Sequence, residues 1–267
     1  MLLDFLFVGV FNWNVEGAGL ATGLSYLIGC GIGLGYFLFN KTTNIKITLA
    51  KLDFRYIRRA CFNGSSELVS NISMSVVSIL FNMQLLHYIG ERGVAAYGII
   101  MYVSFIFIAV FIGFNISTAP IIGYNYGSKN KEELQNVSRK CFLIVAICGL
   151  IMTILTFSLS YPLAYIFANK DSELLELSSH AIRIYSFMFL FSGITYFASS
   201  FFTALNNGLI SVLISGVRTV IFQVGCILIL PLIFKSEGIW YSMVVSEMLG
   251  ISLALVFLIS QKKRYEY

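Results

Sequence analysis

One polar stripe runs through the apolar stretch at residues 60–86 and holds the only charged side chain of that stretch, Glu67. The other members of the stripe, at steps of three or four residues, are Asn63, Asn71, Ser75, Ser78 and Asn82. This spacing places side chains on one face of a helix. A carboxylate at the bilayer centre costs about 2.5–3.5 kcal/mol, so it is expected to face protein or water rather than lipid. We predict that Glu67, with Asn63 and Asn71, binds a coupling ion in a cavity; the alternative is a protonated acid that ties packed helices together.

A second set of side chains has the chemistry to bind a flat, apolar cation. The stretch at 177–205 is rich in aromatic residues, several of them at helical steps. Such rings attract cations and stack on planar molecules. The predicted cavity residues are Met74, Ser78, Tyr97, Met101, Asn115, Tyr185, Phe189 and Tyr196. The alternative is that these aromatic residues only fill space between helices or form belts at the membrane surface.

Two further ionisable residues lie inside apolar stretches. Glu247 is either a second titratable group of the cavity or, as we favour, a hydrogen-bonded acid within the helix packing. Arg218 either neutralises a carboxylate or, as we favour, extends its side chain to the cytoplasmic membrane surface.

Other kinds of chemistry find little support in the sequence. The five cysteines lie in or beside apolar stretches and none forms a C-x-x-C pair, so we expect free thiols without a metal or disulfide framework. Neither a paired His/Glu metal motif nor a nucleophile elbow occurs, which disfavours a membrane enzyme and gives no reason to expect a cofactor.

The composition predicts an all-α, polytopic membrane bundle. Hydrophobic residues make up 58% of the 267-residue chain and charged residues 12%, whereas soluble domains carry about 25% charged residues. A helix of about 20 apolar residues crosses the bilayer core. Seven stretches are long enough: 17–39, 60–86, 94–122, 141–167, 177–205, 209–234 and 239–260. Residues 1–11 are too short to cross, and we interpret them as the end of a helix that begins upstream.

The distribution of Lys and Arg predicts the orientation. Fourteen of the 18 basic residues fall on the same side as the segment 41–59, and four fall on the other. Because cytoplasmic loops are enriched in basic residues, we place this segment and the C-terminus in the cytoplasm. The same distribution accounts for the net charge of +5, so no nucleic-acid partner is expected.

The chain resembles the multidrug and toxic compound extrusion (MATE) transporters over nearly its whole length. The most specific segment, Ala-Pro-Ile-Ile-Gly-Tyr-Asn-Tyr-Gly-Ser-Lys-Asn at 119–130, is similar to the signature after their eighth helix. Weaker matches lie at 2–4, 15–22, 204–208, 230–231, 238–240 and 246–247. The family has twelve helices in two six-helix lobes. The resemblance therefore implies four parts: the end of an N-terminal lobe (1–40), an inter-lobe linker (41–59), a C-terminal six-helix lobe (60–260) and a cytoplasmic tail (261–267).

The resemblance implies a cation-coupled antiporter that exports cationic or amphiphilic drugs by alternating access, in a prokaryotic plasma membrane. Glu67 matches a seventh-helix glutamate implicated in coupling. The sodium-coupled branch has an acid in its tenth helix, and 177–205 offers none, which favours H⁺ over Na⁺. The expected partners are the lipid bilayer, a small cationic substrate and the missing N-terminal lobe. Two alternatives stay open: a half-transporter fragment that carries nothing alone, and a lipid-linked-sugar flippase of the same superfamily.

Overall fold

The structure, a computed structural model, describes residues 2–39 and 53–265. Within these ranges the chain is helical apart from short turns, and no strand occurs, which confirms the all-α prediction. The α-helices are α1 (Leu2–Asp4), α2 (Asn14–Phe39), α3 (Phe54–Tyr88), α4 (Glu91–Gly127), α5 (Lys131–Ser158), α6 (Ser160–Ala168), α7 (Ser172–Ser186), α8 (Met188–Ala204), α9 (Gly208–Gly216) and α10 (Val224–Tyr265). Two further segments, Phe5–Val10 and Val217–Gln223, are π-helical.

The chain divides into two compact units, Met1–Phe54 and Arg55–Tyr267. In the first unit, the backbone N–H of Trp13 donates to the Phe7 carbonyl at 3.0 Å, and the two rings stack with centroids 5.3 Å apart. Gly17 lies against this turn, because a Cβ there would be 3.1 Å from the Phe7 carbonyl oxygen. Helix α2 is long and apolar enough to cross a membrane, as predicted. Most of the predicted linker at 41–59 lies outside the described residues.

The second unit supplies the crossings predicted between 60 and 260. Helices α3, α4 and α5 each have the length and composition of a membrane span, and α7 with α8 forms a span that is bent by 47°. The stretch Gly208–Lys262 is too long for one crossing and breaks at Lys235, whose φ is 53°. Residues on the two sides of this break contact each other, so the stretch folds back as a helical hairpin.

Two boundaries differ from the sequence-based prediction. The span predicted at 141–167 is two helices, α5 and α6, and α5 already begins at Lys131 because the Asn130 side chain caps it by accepting the Glu133 N–H at 3.2 Å. The span predicted at 177–205 bends at Phe187, between α7 and α8. Hydropathy marks where apolar residues are, whereas caps and bends depend on local hydrogen bonds.

Helix α8 lies at the centre of the second unit and packs against α4, α5, α9 and α10. The ring of Phe111 on α4 packs directly on Gly193 of α8, because a Cβ on this glycine would lie 2.6 Å from the ring. On the other side of the core, Phe81 of α3 stacks on Tyr97 of α4 with ring centroids 4.8 Å apart. These contacts hold the helices that carry the predicted site residues.

Candidate functional site

Glu67 lies on the surface of the second unit, on the exposed side of α3. Asn71 and Ser75, further along the stripe, are also exposed, and the Asn71 side chain donates to the Glu67 backbone carbonyl at 2.8 Å. None of the described residues forms an ion pair or a hydrogen bond with the Glu67 carboxylate. The carboxylate is therefore open to a ligand or to another protein surface.

Asn63, the third predicted coupling residue, has a different environment. Its amide donates to the Thr203 carbonyl at the end of α8, at 3.2 Å. Its Oδ1 atom is buried without a hydrogen-bond partner among the described residues. The backbone of Gly208 packs directly on it, since a Cβ there would be 2.7 Å from the Asn63 Cα. Asn63 thus joins α3 to the turn before α9.

The predicted cavity residues separate by burial. Met74 is exposed, and Ser78, Met101, Asn115 and Tyr196 are partly buried. Three others, Tyr97, Tyr185 and Phe189, are buried in the core of the second unit.

The expectation that Tyr97, Tyr185 and Phe189 line an open cavity is therefore wrong for this conformation. Aromatic residues at helical steps mark a face that packs against something, and here that face packs against other helices of the same unit. Of the predicted aromatic residues, Tyr196 keeps part of its side chain accessible.

A buried ion pair forms inside the helical hairpin. The Arg218 guanidinium donates to Glu247 Oε1 at 2.7 Å, and the two side chains are 4% and 1% exposed. Gln223 donates to the same oxygen at 3.3 Å. The preference for Arg218 at the cytoplasmic surface is thus wrong, and the alternative, that it neutralises a carboxylate, is correct. Glu247 accepts both hydrogen bonds within the helix packing.

The π-helical segment Val217–Gln223 explains how two residues five apart reach one carboxylate. In an α-helix, side chains five residues apart point about 140° away from each other. In a π-helix, hydrogen bonds link residues five apart, which brings Arg218 and Gln223 towards the same face.

The ion pair is enclosed by neighbouring helices. The Arg218 guanidinium carbon lies 4.3 Å from the centroid of the Tyr196 ring on α8. Its aliphatic part packs on Gly250, where a Cβ would be 3.0 Å from the Arg218 Cγ atom. The second carboxylate oxygen of Glu247, Oε2, is buried and has no partner among the described residues.

Two polar contacts join residues from different helices of the second unit. Arg92 at the start of α4 pairs with Glu173 and, at 3.6 Å, with Asp171. His180 Nε2 lies 3.1 Å from a Glu237 carboxylate oxygen. These partners are far apart in sequence, and the sequence analysis missed both contacts. The described residues bring no group of three or more His, Cys, Asp and Glu side chains together as a metal site.

Comparison with known proteins identifies the family. The MatE family matches residues 68–228, which is more than half of the chain. The chain belongs to the MatE family. It is 22% identical over 257 residues to multidrug export protein MepA of Staphylococcus aureus (strain bovine RF122 / ET3-1), covering 96% of this chain and 56% of that protein. MepA of Staphylococcus saprophyticus is 22% identical over 249 residues, covering 92% and 54%.

Two solved transporter structures have the same fold as this chain. An outward-facing multidrug resistance MATE family transporter superposes with a TM-score of 0.90 at 21% identity, covering 99% of this chain and 60% of that one. A superfamily transporter from Pyrococcus furiosus gives a TM-score of 0.90 at 22% identity, covering 100% and 60%. The chain is therefore a multi-pass membrane protein of a transporter family, and it spans about half the length of the curated MepA relatives it matches.

Proposed function

We propose that this MatE protein is part of a cation-coupled antiporter that exports cationic or amphiphilic compounds. The observation that carries the proposal is the exposed Glu67 carboxylate on a membrane-crossing helix, with exposed polar neighbours and no ion-pair partner among the described residues. MepA relatives are multidrug exporters, and an apolar cation is the ligand class that a carboxylate beside apolar walls attracts.

The proposed exchange of a proton for a substrate cation follows from the free-energy cost of an isolated charge inside the membrane. A carboxylate at the bilayer centre costs about 2.5–3.5 kcal/mol, and either a bound proton or a substrate cation relieves that cost. Because one carboxylate holds one positive charge comfortably, proton and substrate occupy Glu67 in turn. Because one proton exchanges for one monovalent cation, no net charge crosses the membrane, so the proton concentration gradient rather than the membrane potential drives the exchange.

We infer that the coupling ion is H⁺ rather than Na⁺. Helix α8 and the part of α7 from Leu177 onward contain no acidic residue that would complete a sodium site with Glu67. A sodium ion prefers several oxygen ligands, whereas a proton needs one titratable group. The described stripe offers one carboxylate, Glu67, with neutral amides and hydroxyls beside it.

Alternating access requires a second lobe facing the polar stripe of α3. Since the chain spans about half the length of its MepA relatives, we propose that this lobe comes from additional polypeptide, on the same chain or another. The distribution of basic residues supports a plasma-membrane orientation with the segment 41–59 and the C-terminus in the cytoplasm.

Transport by inside-out membrane vesicles from an efflux-deficient bacterium tests this proposal. The chain is expressed alone and together with the N-terminal half of a MepA relative, and uptake of a fluorescent aromatic cation is followed under an imposed H⁺ or Na⁺ gradient. We expect H⁺-driven uptake when the second lobe is present. Glu67→Gln should lower the rate of this uptake at least about tenfold, which corresponds to about 1.4 kcal/mol.

The matched control is Glu132→Gln, which removes the same charge from an exposed residue in the first turn of α5. It should leave uptake unchanged. Full H⁺-driven uptake in Glu67→Gln, or no uptake by the unmodified protein in either form, would contradict the proposal; the second result would instead support a fragment that carries nothing.

A further inference from the structure

The Arg218–Glu247 pair lies against Tyr196. Of the aromatic residues predicted to line the cavity, Tyr196 is the one whose side chain is partly accessible. The guanidinium covers one side of the Tyr196 ring at 4.3 Å, and Tyr196 itself is partly buried. A substrate that stacks on the face of this ring opposite the guanidinium would have a protein cation beneath it. A cation under the ring weakens the attraction of that ring for a second cation.

Glu247 cancels this charge. It accepts the guanidinium hydrogen bond at 2.7 Å, and both side chains are almost completely buried, so little solvent screens either of them. Gln223, the other residue that bonds Glu247, is neutral. Tyr196, on which the guanidinium lies, is the other described side chain in contact with the pair, and it is a phenol. The described surroundings thus provide no other full charge to replace either partner.

We propose that the Arg218–Glu247 pair sets the charge preference of the transport site by acting through Tyr196. Both are positioning residues: they hold the ring and keep the protein behind it electrically neutral, which allows a cationic substrate to approach. The pair remains ionised throughout transport, and the exchange of charge takes place at Glu67. This inference rests on the proposed function, because it presupposes transport of a cation.

Single-residue variants separate this role from a purely structural one. Glu247→Gln leaves a net positive charge behind Tyr196, because arginine cannot release its proton. Arg218→Gln leaves a buried Glu247 that can be neutralised by a proton, so it leaves no net charge. KM is measured for two aromatic substrates of matched size, one a quaternary cation and one uncharged, in the vesicles described above. The charge preference is the ratio of the KM of the cation to that of the uncharged substrate.

We expect Glu247→Gln to raise the ratio on the order of tenfold, for one uncompensated charge several ångströms from the substrate. Arg218→Gln and the double variant Arg218→Gln/Glu247→Gln should stay within about twofold of the unmodified protein, because neither leaves a net charge. A loss of packing alone cannot raise the ratio, because it affects both substrates alike.

A charge-neutral variant provides the control. Gly250→Ala pushes on the aliphatic part of Arg218 while keeping both charges, and Gly225→Ala adds the same methyl group where a Cβ meets no atom within 4 Å. Both should leave the ratio unchanged, even if Gly250→Ala slows transport.

If a single variant does not accumulate in the membrane, a variant in which the arginine and the glutamate swap positions still tests the inference. Arg218→Glu/Glu247→Arg stays neutral but puts the carboxylate beside the ring, so it should lower the ratio. Equal changes of KM for both substrates, or an unchanged ratio in the exchanged variant, would overturn the inference. Failure of the unmodified protein to transport the cation would instead contradict the proposed function.

Discussion

Breaking the Arg218–Glu247 pair should destabilise the protein far more than replacing the whole pair. The side chains are 4% and 1% exposed, so the partner left behind by a single substitution stays buried without its counter-charge. Losing one partner of such a pair costs about 3–5 kcal/mol. We expect Glu247→Leu to reach that range, because arginine cannot release its proton to escape the penalty. Arg218→Met should fall near the lower end, since the remaining Glu247 can be neutralised by a proton.

The double variant Arg218→Met/Glu247→Leu should be within about 1 kcal/mol of the unmodified protein, because apolar residues of similar volume remove the need for charge pairing. The coupling energy of the cycle is then about 3 kcal/mol or more, well above the roughly 0.3–0.5 kcal/mol expected for independent sites. The free energy of unfolding is measured in mixed micelles by titration with a denaturing detergent, with helix content read from circular dichroism.

The exposed pair of Arg92 and Glu173 is the matched control. Its side chains are 56% and 70% exposed, so the same cycle there should give a coupling energy below about 1 kcal/mol. Additive effects of Arg218→Met and Glu247→Leu would refute the reasoning, because they would mean that neither charge depends on the other for its stability in the core.

Three further substitutions test the packing that positions the site, each by the same unfolding measurement. Gly238→Ala should destabilise by more than about 1 kcal/mol, since its Cβ would collide with the Leu230 carbonyl at the turn of the hairpin, whereas Gly225→Ala has open space and should be neutral or slightly stabilising. Asp171→Ala should cost about 1 kcal/mol, because its side chain caps α7 by accepting two backbone N–H groups at 3.1 Å; no change would show that the cap is dispensable. Phe81→Ala should cost about 3–5 kcal/mol as the loss of a fully buried ring, and Phe105→Ala, with 69% of its side chain exposed, should cost much less; equal losses would contradict the assigned core.

The sequence left open the environment of two sets of residues. Hydropathy and spacing located Glu67 on a membrane-crossing helix, and the structure places it on the surface of the unit rather than in the core. The same reasoning grouped Tyr97, Tyr185 and Phe189 with the cavity, although they are buried. A helical repeat of aromatic residues shows that a face packs against something, but it carries no information about the partner.

The sequence by itself determined the class of the protein, the crossing stretches and the polar stripe of α3, because each depends on local composition or on the helical repeat. Only the tertiary structure decided which polar groups meet. The ion pair between Arg218 and Glu247 forms because the chain folds back at Lys235. Arg218 and Gln223 reach the same oxygen because the segment that holds them is π-helical. Both features arise where the chain departs from regular α-helix, and hydrophobic periodicity does not encode such departures.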